Sequence, residues 1–319
     1  PSYFIGVNRN KRSIGLDLGK PEGKAVLLKL LEGADVLVEN FKPGALERLG
    51  LGEAVLRARN PGLVAVRISG YGQTGPKADL PGHDLNYIGD SGLLSLGFGS
   101  AAAPVIPPAL IADIAGGAYP AMMNILLALE QRRRSGKGCY LDIAMAENAL
   151  PFQFWALGQG FGTGKWPGNG QDLLNGGSPR YRLYPAKDGR IVAVGALEQK
   201  FWDNFCELIA LPAQFRQDRR DPEATAIAIG TILAGRPAAY WAEKFAGQDV
   251  CCSIVASVEE AVADPHFAAR GLFARKVANE AGDLMPALPV PVVPAFRAPE
   301  SEIVSAPELG AHNRVVLGE

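Results

Sequence analysis

Between residues 21 and 69, helical and strand-like patterns alternate at the spacing of parallel βαβ units. Pro21-Glu22-Gly23 opens an amphipathic stretch at residues 24–32, with leucines at 27, 28, 30 and 31, and Gly33 ends it. Asp35-Val36-Leu37-Val38-Glu39 reads as a short buried strand. Helical pieces follow at 46–49 and 52–59, then an Asn60-Pro61-Gly62 turn and a second apolar strand at 63–69. A long helix is expected at 111–134 and a strand at 140–144. The fold class is therefore α/β, and the N-terminal half reads as doubly wound.

Further along, glycine density rises between 146 and 178, which predicts a mobile connector or lid. Beyond it a strand near 191–194, helices at about 199–209 and 238–245 and a strand at 250–256 predict a second, smaller α/β domain. The tail from Met285 is proline-rich and reads as extended.

Composition excludes several function classes. The 319 residues are 48% hydrophobic, enough for a real core and against a disordered chain. Lys+Arg total 32 and Asp+Glu 33, a net charge of −1, so no global basic field exists to grip nucleic acid. Arg132-Arg133-Arg134-Ser135-Gly136 reads as a solvated basic helix end with its glycine stop. Four cysteines form no CxxC pair and only three histidines occur, so no metal site is expected. Adjacent Cys251 and Cys252 read as buried structural thiols. The apolar stretches near 118–129 and 286–296 are short or proline-broken, so no membrane span is expected. No signal peptide is visible, and the expected location is cytoplasmic.

Nucleotide motifs fail on context. Gly97-Phe98-Gly99-Ser100-Ala101-Ala102 fits a relaxed GxGxxA but runs into Pro104, Pro107 and Pro108 instead of a helix. Gly164-Lys165 resembles the end of a P-loop, yet Gln159 stands where its first glycine belongs. No GxSxG elbow occurs.

Three signals remain. Gly82-His83-Asp84-Leu85-Asn86-Tyr87 packs an imidazole, a carboxylate, an amide and a phenol together, after a strand that runs into a glycine-rich loop. In open α/β sheets ligands bind beyond the carboxyl ends of strands, so the segment is well placed. A histidine that only caps a helix is the plain alternative. Asp113 sits among apolar and tiny residues. It reads either as the N-cap of the following helix or as a site carboxylate whose backbone N–H could hold a developing oxyanion. Gly116-Gly117 would let a ligand or another backbone approach closely. Glu198, just after a strand, is by itself a helix-start acid.

Taken in order, these segments resemble the family III CoA-transferases, and within them the α-methylacyl-CoA racemase branch. The resemblance begins at Asn8-Arg9-Asn10-Lys11-Arg12-Ser13-Ile14-Gly15-Leu16-Asp17-Leu18. It continues through residues 34–44, Glu47-Arg48-Leu49-Gly50-Leu51-Gly52, 67–76, 82–87, Asp113 and Gly138-Cys139-Tyr140-Leu141-Asp142. Residues 184–198, Asp264-Pro265-His266-Phe267 and Arg270-Gly271 also fit.

The resemblance implies a Rossmann-like large domain at 1–145 and 284–319, linkers at 146–178 and 271–283, a small domain at 179–270, and an interlocked homodimer. Family members usually open with a further strand–helix unit, and this chain starts after it.

The same resemblance implies an acyl-CoA racemase or epimerase that inverts the α-carbon of 2-methylacyl-CoA thioesters by two-base proton transfer. His83 and Asp113 would be the two acid/bases, with Glu198 supporting the histidine. A CoA-transferase with Asp113 as nucleophile and a non-catalytic acyl-CoA binder are the alternatives. Leu16, Asp17, Leu18, Asn40, Phe41, Lys42, Arg48, Gly82, Asp84, Asn86 and Tyr87 would surround CoA, and Met145 would lie on the acyl surface. No metal or further cofactor is implied, since CoA enters as part of the thioester substrate.

Overall fold

The computed structural model describes residues 2–278, 282–297, 299 and 303–318. The chain divides into two compact units, residues 28–255 and residues 1–27 with 256–319. The domain bounds expected from the sequence are a different partition, and the expected linker 271–283 lies partly outside the described residues.

In the unit of residues 28–255, β1 (Val36–Glu39), β2 (Val64–Ser69) and β3 (Tyr140–Ala144) form a parallel sheet in the order β1-β2-β3. β2 is central, and Val64 and Val66 are fully buried. Its near-continuous apolar run is what a parallel strand covered on both faces requires. The helix Tyr119–Ser135 lays Ala121, Ile125 and Ala128, spaced one turn apart, against this sheet. Gly136 ends it in the left-handed region at φ 70°.

The π-helix Ile111–Ala118 runs directly into that helix. Pro120 therefore lies inside the joined helix and has no N–H for the Gly116 carbonyl, which accepts from Asn148 Nδ2 at 2.9 Å instead. The joined helix, Ile111–Ser135, is long and apolar enough to cross a membrane by length and composition. This corrects the expectation that no run reaches that length, although one side of the helix is core.

Arg67 interrupts β2. Its guanidinium pairs with Glu39 at 2.9 Å and Glu47 at 2.7 Å and stacks over Tyr140. The other Glu39 oxygen accepts the Phe41 N–H at 2.6 Å, so the buried pair fixes the loop leaving β1. Burial pushes the Glu39 carboxyl up, whereas the hydrogen bond from Arg67 holds Glu47 down.

A second sheet, β4 (Tyr181–Pro185), β5 (Ile191–Gly195) and β6 (Cys252–Ile254), is antiparallel throughout. β5 alternates, with Val192 and Val194 turned inward onto Trp202, Phe205, Ile229, Leu233 and Trp241. Arg180 binds Asp218 through two hydrogen bonds of 2.9 and 2.7 Å. The same guanidinium donates to the Leu197 carbonyl and to Gln199 Oε1, which fixes the chain on both sides of Glu198.

Two expectations need correction here. Residues 145–163 are helical rather than a mobile connector. Two of their polar side chains bond to other elements: Asn148 donates to the Gly116 carbonyl at 2.9 Å and Gln153 to that of Ser91 at 2.6 Å. Gly160 lies under the Trp166 ring, where a Cβ would stand 2.2 Å from a ring carbon. The cysteine pair is not uniformly buried either. Cys251 is exposed, with φ 48°, and only Cys252 is partly enclosed, its thiol pushed up to about 12 by burial.

In the unit of residues 1–27 and 256–319, β7 (Lys276–Ala278) pairs antiparallel with β8 (Leu284–Pro286) and parallel with β9 (Val304–Ser305). The two chain ends are tied together. The Ser13 N–H donates to His312 Nδ1 at 3.1 Å, and the His312 N–H returns to the Ser13 carbonyl at 2.9 Å.

Candidate active site

The site is built where β2 ends. The chain passes Gly70, loops to Gly82 and enters the helix Asp84–Asp90. Tyr87 of that helix folds back. Its hydroxyl donates to the Gly82 carbonyl at 2.5 Å, and its ring meets Tyr71 edge-on at 5.2 Å. Gly70 must lack a side chain, because a Cβ would stand 2.3 Å from the Tyr87 ring. Tyr71 donates to Asp90 at 2.7 Å, and Lys77 binds the same carboxylate at 2.8 Å, which latches the loop to the helix.

His83 occupies the N-cap position of this helix in extended conformation. Asn86 Oδ1 accepts the His83 backbone N–H at 3.1 Å, so the helix start is held by the amide side chain. The exposed His83 side chain lines a cavity.

Asp113 is the third residue of the π-helix, not its N-cap, so that reading is set aside. A π-turn is a rare, widened geometry that recurs at functional sites. Gly116 and Gly117 are buried against Met145: a Cβ on Gly116 would lie 2.6 Å from the Met145 carbonyl oxygen. The glycine pair therefore admits another backbone.

The Asp113 N–H donates to the buried Asp84 carboxylate at 2.9 Å. This corrects the expectation that this N–H holds an oxyanion, because a better acceptor already takes it. Burial is the main cause that raises the Asp113 pKa; the Asp84 charge adds to it, and His83 opposes it. Asp113 thus binds its proton more tightly folded than unfolded, and it costs stability as pH rises through the carboxylate range. Asp84→Asn keeps an acceptor for the N–H and removes the charge. In that variant Asp113 is expected to titrate at lower pH, followed by carboxyl infrared or carbon NMR signals. An unmoved titration would discard the like-charge cause.

One cavity of about 1010 Å³ gathers most of the expected residues: Asn40, Phe41, Lys42, Gly82, His83, Asn86, Tyr87, Asp113 and Met145 all line it. Asp84 lines a neighbouring cavity of about 510 Å³, and His83 and Asp113 belong to the walls of both.

The remaining expected residues are elsewhere. Arg48 is exposed on the short helix Ala45–Arg48 and lines neither cavity. Glu198 sits at the N-cap position of the helix Gln199–Leu208 and also lines neither. Leu16, Asp17 and Leu18 belong to the other unit, where Asp17 Oδ1 accepts the Gly19 N–H at 2.9 Å.

Sequence reasoning missed the Glu39–Arg67–Glu47 cluster and the part that Ile106, Pro107, Pro108, Ala109 and Leu110 play in lining the smaller cavity. A charged residue inside Val64-Ala65-Val66-Arg67-Ile68 was the signal for the first. Among the described residues, no group of three or more His, Cys, Asp or Glu is placed to hold a metal.

The profile of CoA-transferase family III matches residues 1–313. Alpha-methylacyl-CoA racemase of Homo sapiens is 36% identical, over 98% of this chain and 81% of that protein. Acetyl-CoA:oxalate CoA-transferase of Acetobacter aceti is 31% identical, over 91% of this chain and 75% of that protein. Among solved structures, Rv3272 from M. tuberculosis superposes with a TM-score of 0.82 at 27% identity, covering 98% of this chain and 85% of that one.

Proposed function

The chain belongs to CoA-transferase family III, and from that premise we propose that it is an acyl-CoA racemase or epimerase acting on 2-methylacyl-CoA thioesters. The observation that carries the proposal is the pairing of His83 and Asp113 on the wall of one cavity. Inverting a carbon next to a carbonyl needs a base on one face and an acid on the other. The thioester carbonyl takes the charge of the intermediate as an enolate. His83 would remove or return the proton on one face and Asp113 on the other, with the roles exchanged in the reverse direction. The raised Asp113 pKa suits a carboxyl that must spend part of the cycle protonated.

Lys42, exposed on the loop that Glu39 pins, is the cationic partner proposed for a CoA phosphate. Met145 is the proposed apolar contact beside the reacting carbon. The parallel sheet and its covering helix support a Rossmann-like large domain. An interlocked homodimer is proposed on the exposed Tyr119, Met122, Met123, Leu126 and Leu127. Glu198 lines neither cavity within one chain, so its support of His83 is proposed to come through that dimer.

The resemblance to an oxalate CoA-transferase favours one rival, in which Asp113 attacks the thioester as a nucleophile. Incubation with a 2-methylacyl-CoA in D₂O, with and without a carboxylate acceptor, separates the two. Deuterium entering the α-position without acceptor is the expected result. CoA exchange that requires acceptor, without α-deuteration, replaces the racemase with the transferase.

A further inference from the structure

We infer that Arg67 is a positioning residue for the reaction: its buried guanidinium ties the loop that carries Lys42 to the loop that leads to His83. The inference rests on the acyl-CoA reading and adds to it what keeps the two parts of the site at a fixed spacing.

Glu39, Arg67 and Asp142 stand in register across β1, β2 and β3. Arg67 is 5% exposed and lines neither cavity, so it acts through other residues. Its Nε pairs with Glu39 at 2.9 Å, and Glu39 in turn accepts the N–H of Phe41, the residue before Lys42. In another direction Nη1 donates to Gln73 Oε1 at 3.2 Å. Gln73 is fixed twice more, by its N–H on Asp142 at 2.9 Å and by its Nε2 on Ser69 Oγ at 3.4 Å. It lies between Tyr71 and Lys77, which bind the loop to Asp90 on the helix that His83 caps. Residues 40–42 and 80–83, at the far ends of the two ties, line the same cavity.

The rest of β2 sharpens the point. Val64, Ala65 and Val66 are buried and apolar. Desolvating a guanidinium and a carboxylate is costly, and an apolar side chain of similar volume often serves stability as well or better. An apolar side chain cannot reach Glu39, Glu47 and Gln73 from one rigid plane of donors, as Arg67 does.

The test cuts the two ties separately in the full chain. Gln73→Ala removes one and keeps the backbone bond to Asp142. Its α-deuteration rate at saturating 2-methylacyl-CoA is expected to fall about 10- to 100-fold, the cost of a misplaced reacting group, with the Kd of free CoA within about twofold of wild type. Glu39→Ala removes the other tie and leaves Arg67 paired with Glu47. Free CoA is expected to bind about tenfold more weakly to it, the worth of one charge-assisted hydrogen bond, with the saturated rate within about threefold of wild type. Arg67→Lys keeps the charge, loses the plane and is expected to show both losses.

Variants that lower Tm but leave rate and CoA affinity at wild-type values give Arg67 a structural role only and overturn the inference. Rate and affinity falling together in each single-tie variant overturn it too, as does Arg67→Lys with wild-type rate and affinity. Should Arg67→Lys not fold, the split between the other two variants decides. If wild type binds neither CoA nor thioester, the acyl-CoA reading fails first and the inference with it. If wild type binds CoA without α-deuteration, the racemase reading fails, and the inference falls with its His83 tie.

Discussion

His83→Ala is expected to slow α-proton exchange from 2-methylacyl-CoA by about 10²–10⁴-fold, the range for a positioned acid/base, while thioester binding is retained. The local structure should tolerate the change. The helix start is held by the Asn86 amide on the His83 backbone N–H and by the backbone bond from the Asn86 N–H to the His83 carbonyl, neither of which needs the imidazole. The loop is anchored separately by the Tyr87 hydroxyl on Gly82 and by the Tyr71–Asp90–Lys77 latch. Loss of exchange with unchanged Tm and unchanged CoA affinity would therefore report chemistry rather than folding. Added imidazole should restore part of the rate if the missing group is a proton carrier. Exchange at the wild-type rate in this variant would refute the assignment of His83 outright.

The fold was legible where the pattern was local. The first strands and the helix ending at Gly136 stand within a residue or two of where apolar runs, Pro21 and Gly136 put them. It was illegible where a residue's meaning depended on a distant neighbour. Gly158, Gly160 and Gly162 look like a flexible stretch in sequence, but Gly160 is a contact surface for Trp166 within a helix. Cys251 looks like its neighbour, yet a left-handed backbone turns it to solvent.

The site divides in the same way. The motif 82–87 marked itself by dense polar chemistry, and the cavity joins it to Asp113 and to the loop at 40–42. That Asp84 takes the Asp113 N–H joins groups 29 residues apart, and no sequence pattern announces such a bond. Glu198 shows the opposite limit. The sequence places it after a strand, and the structure of one chain leaves it there, held by Arg180 on either side.

Asp113→Asn is expected to remove activity and raise stability together. The amide is nearly isosteric, and the backbone N–H bond to Asp84 does not depend on the side chain. It can neither carry the second proton of an inversion nor attack a thioester, so exchange should fall by about 10²–10⁴-fold and any CoA transfer should fall with it. The stability change follows from the sign of the pKa shift. Burial and the Asp84 charge raise the Asp113 pKa, so the ionised carboxylate is disfavoured in the folded state. That cost is absent below the carboxylate range, where the group is protonated in both states, and it is present in full at neutral pH. The variant should therefore unfold at a higher temperature than wild type at pH 7, and the gap should close as pH falls through the carboxylate range. A carboxylate kept only for structure would give the reverse, with lower stability at pH 7 once it is replaced. A site that holds an acid against its own electrostatics stores a cost that only catalysis recovers. Lost exchange with an unchanged or lowered Tm would show that no such cost is stored at Asp113.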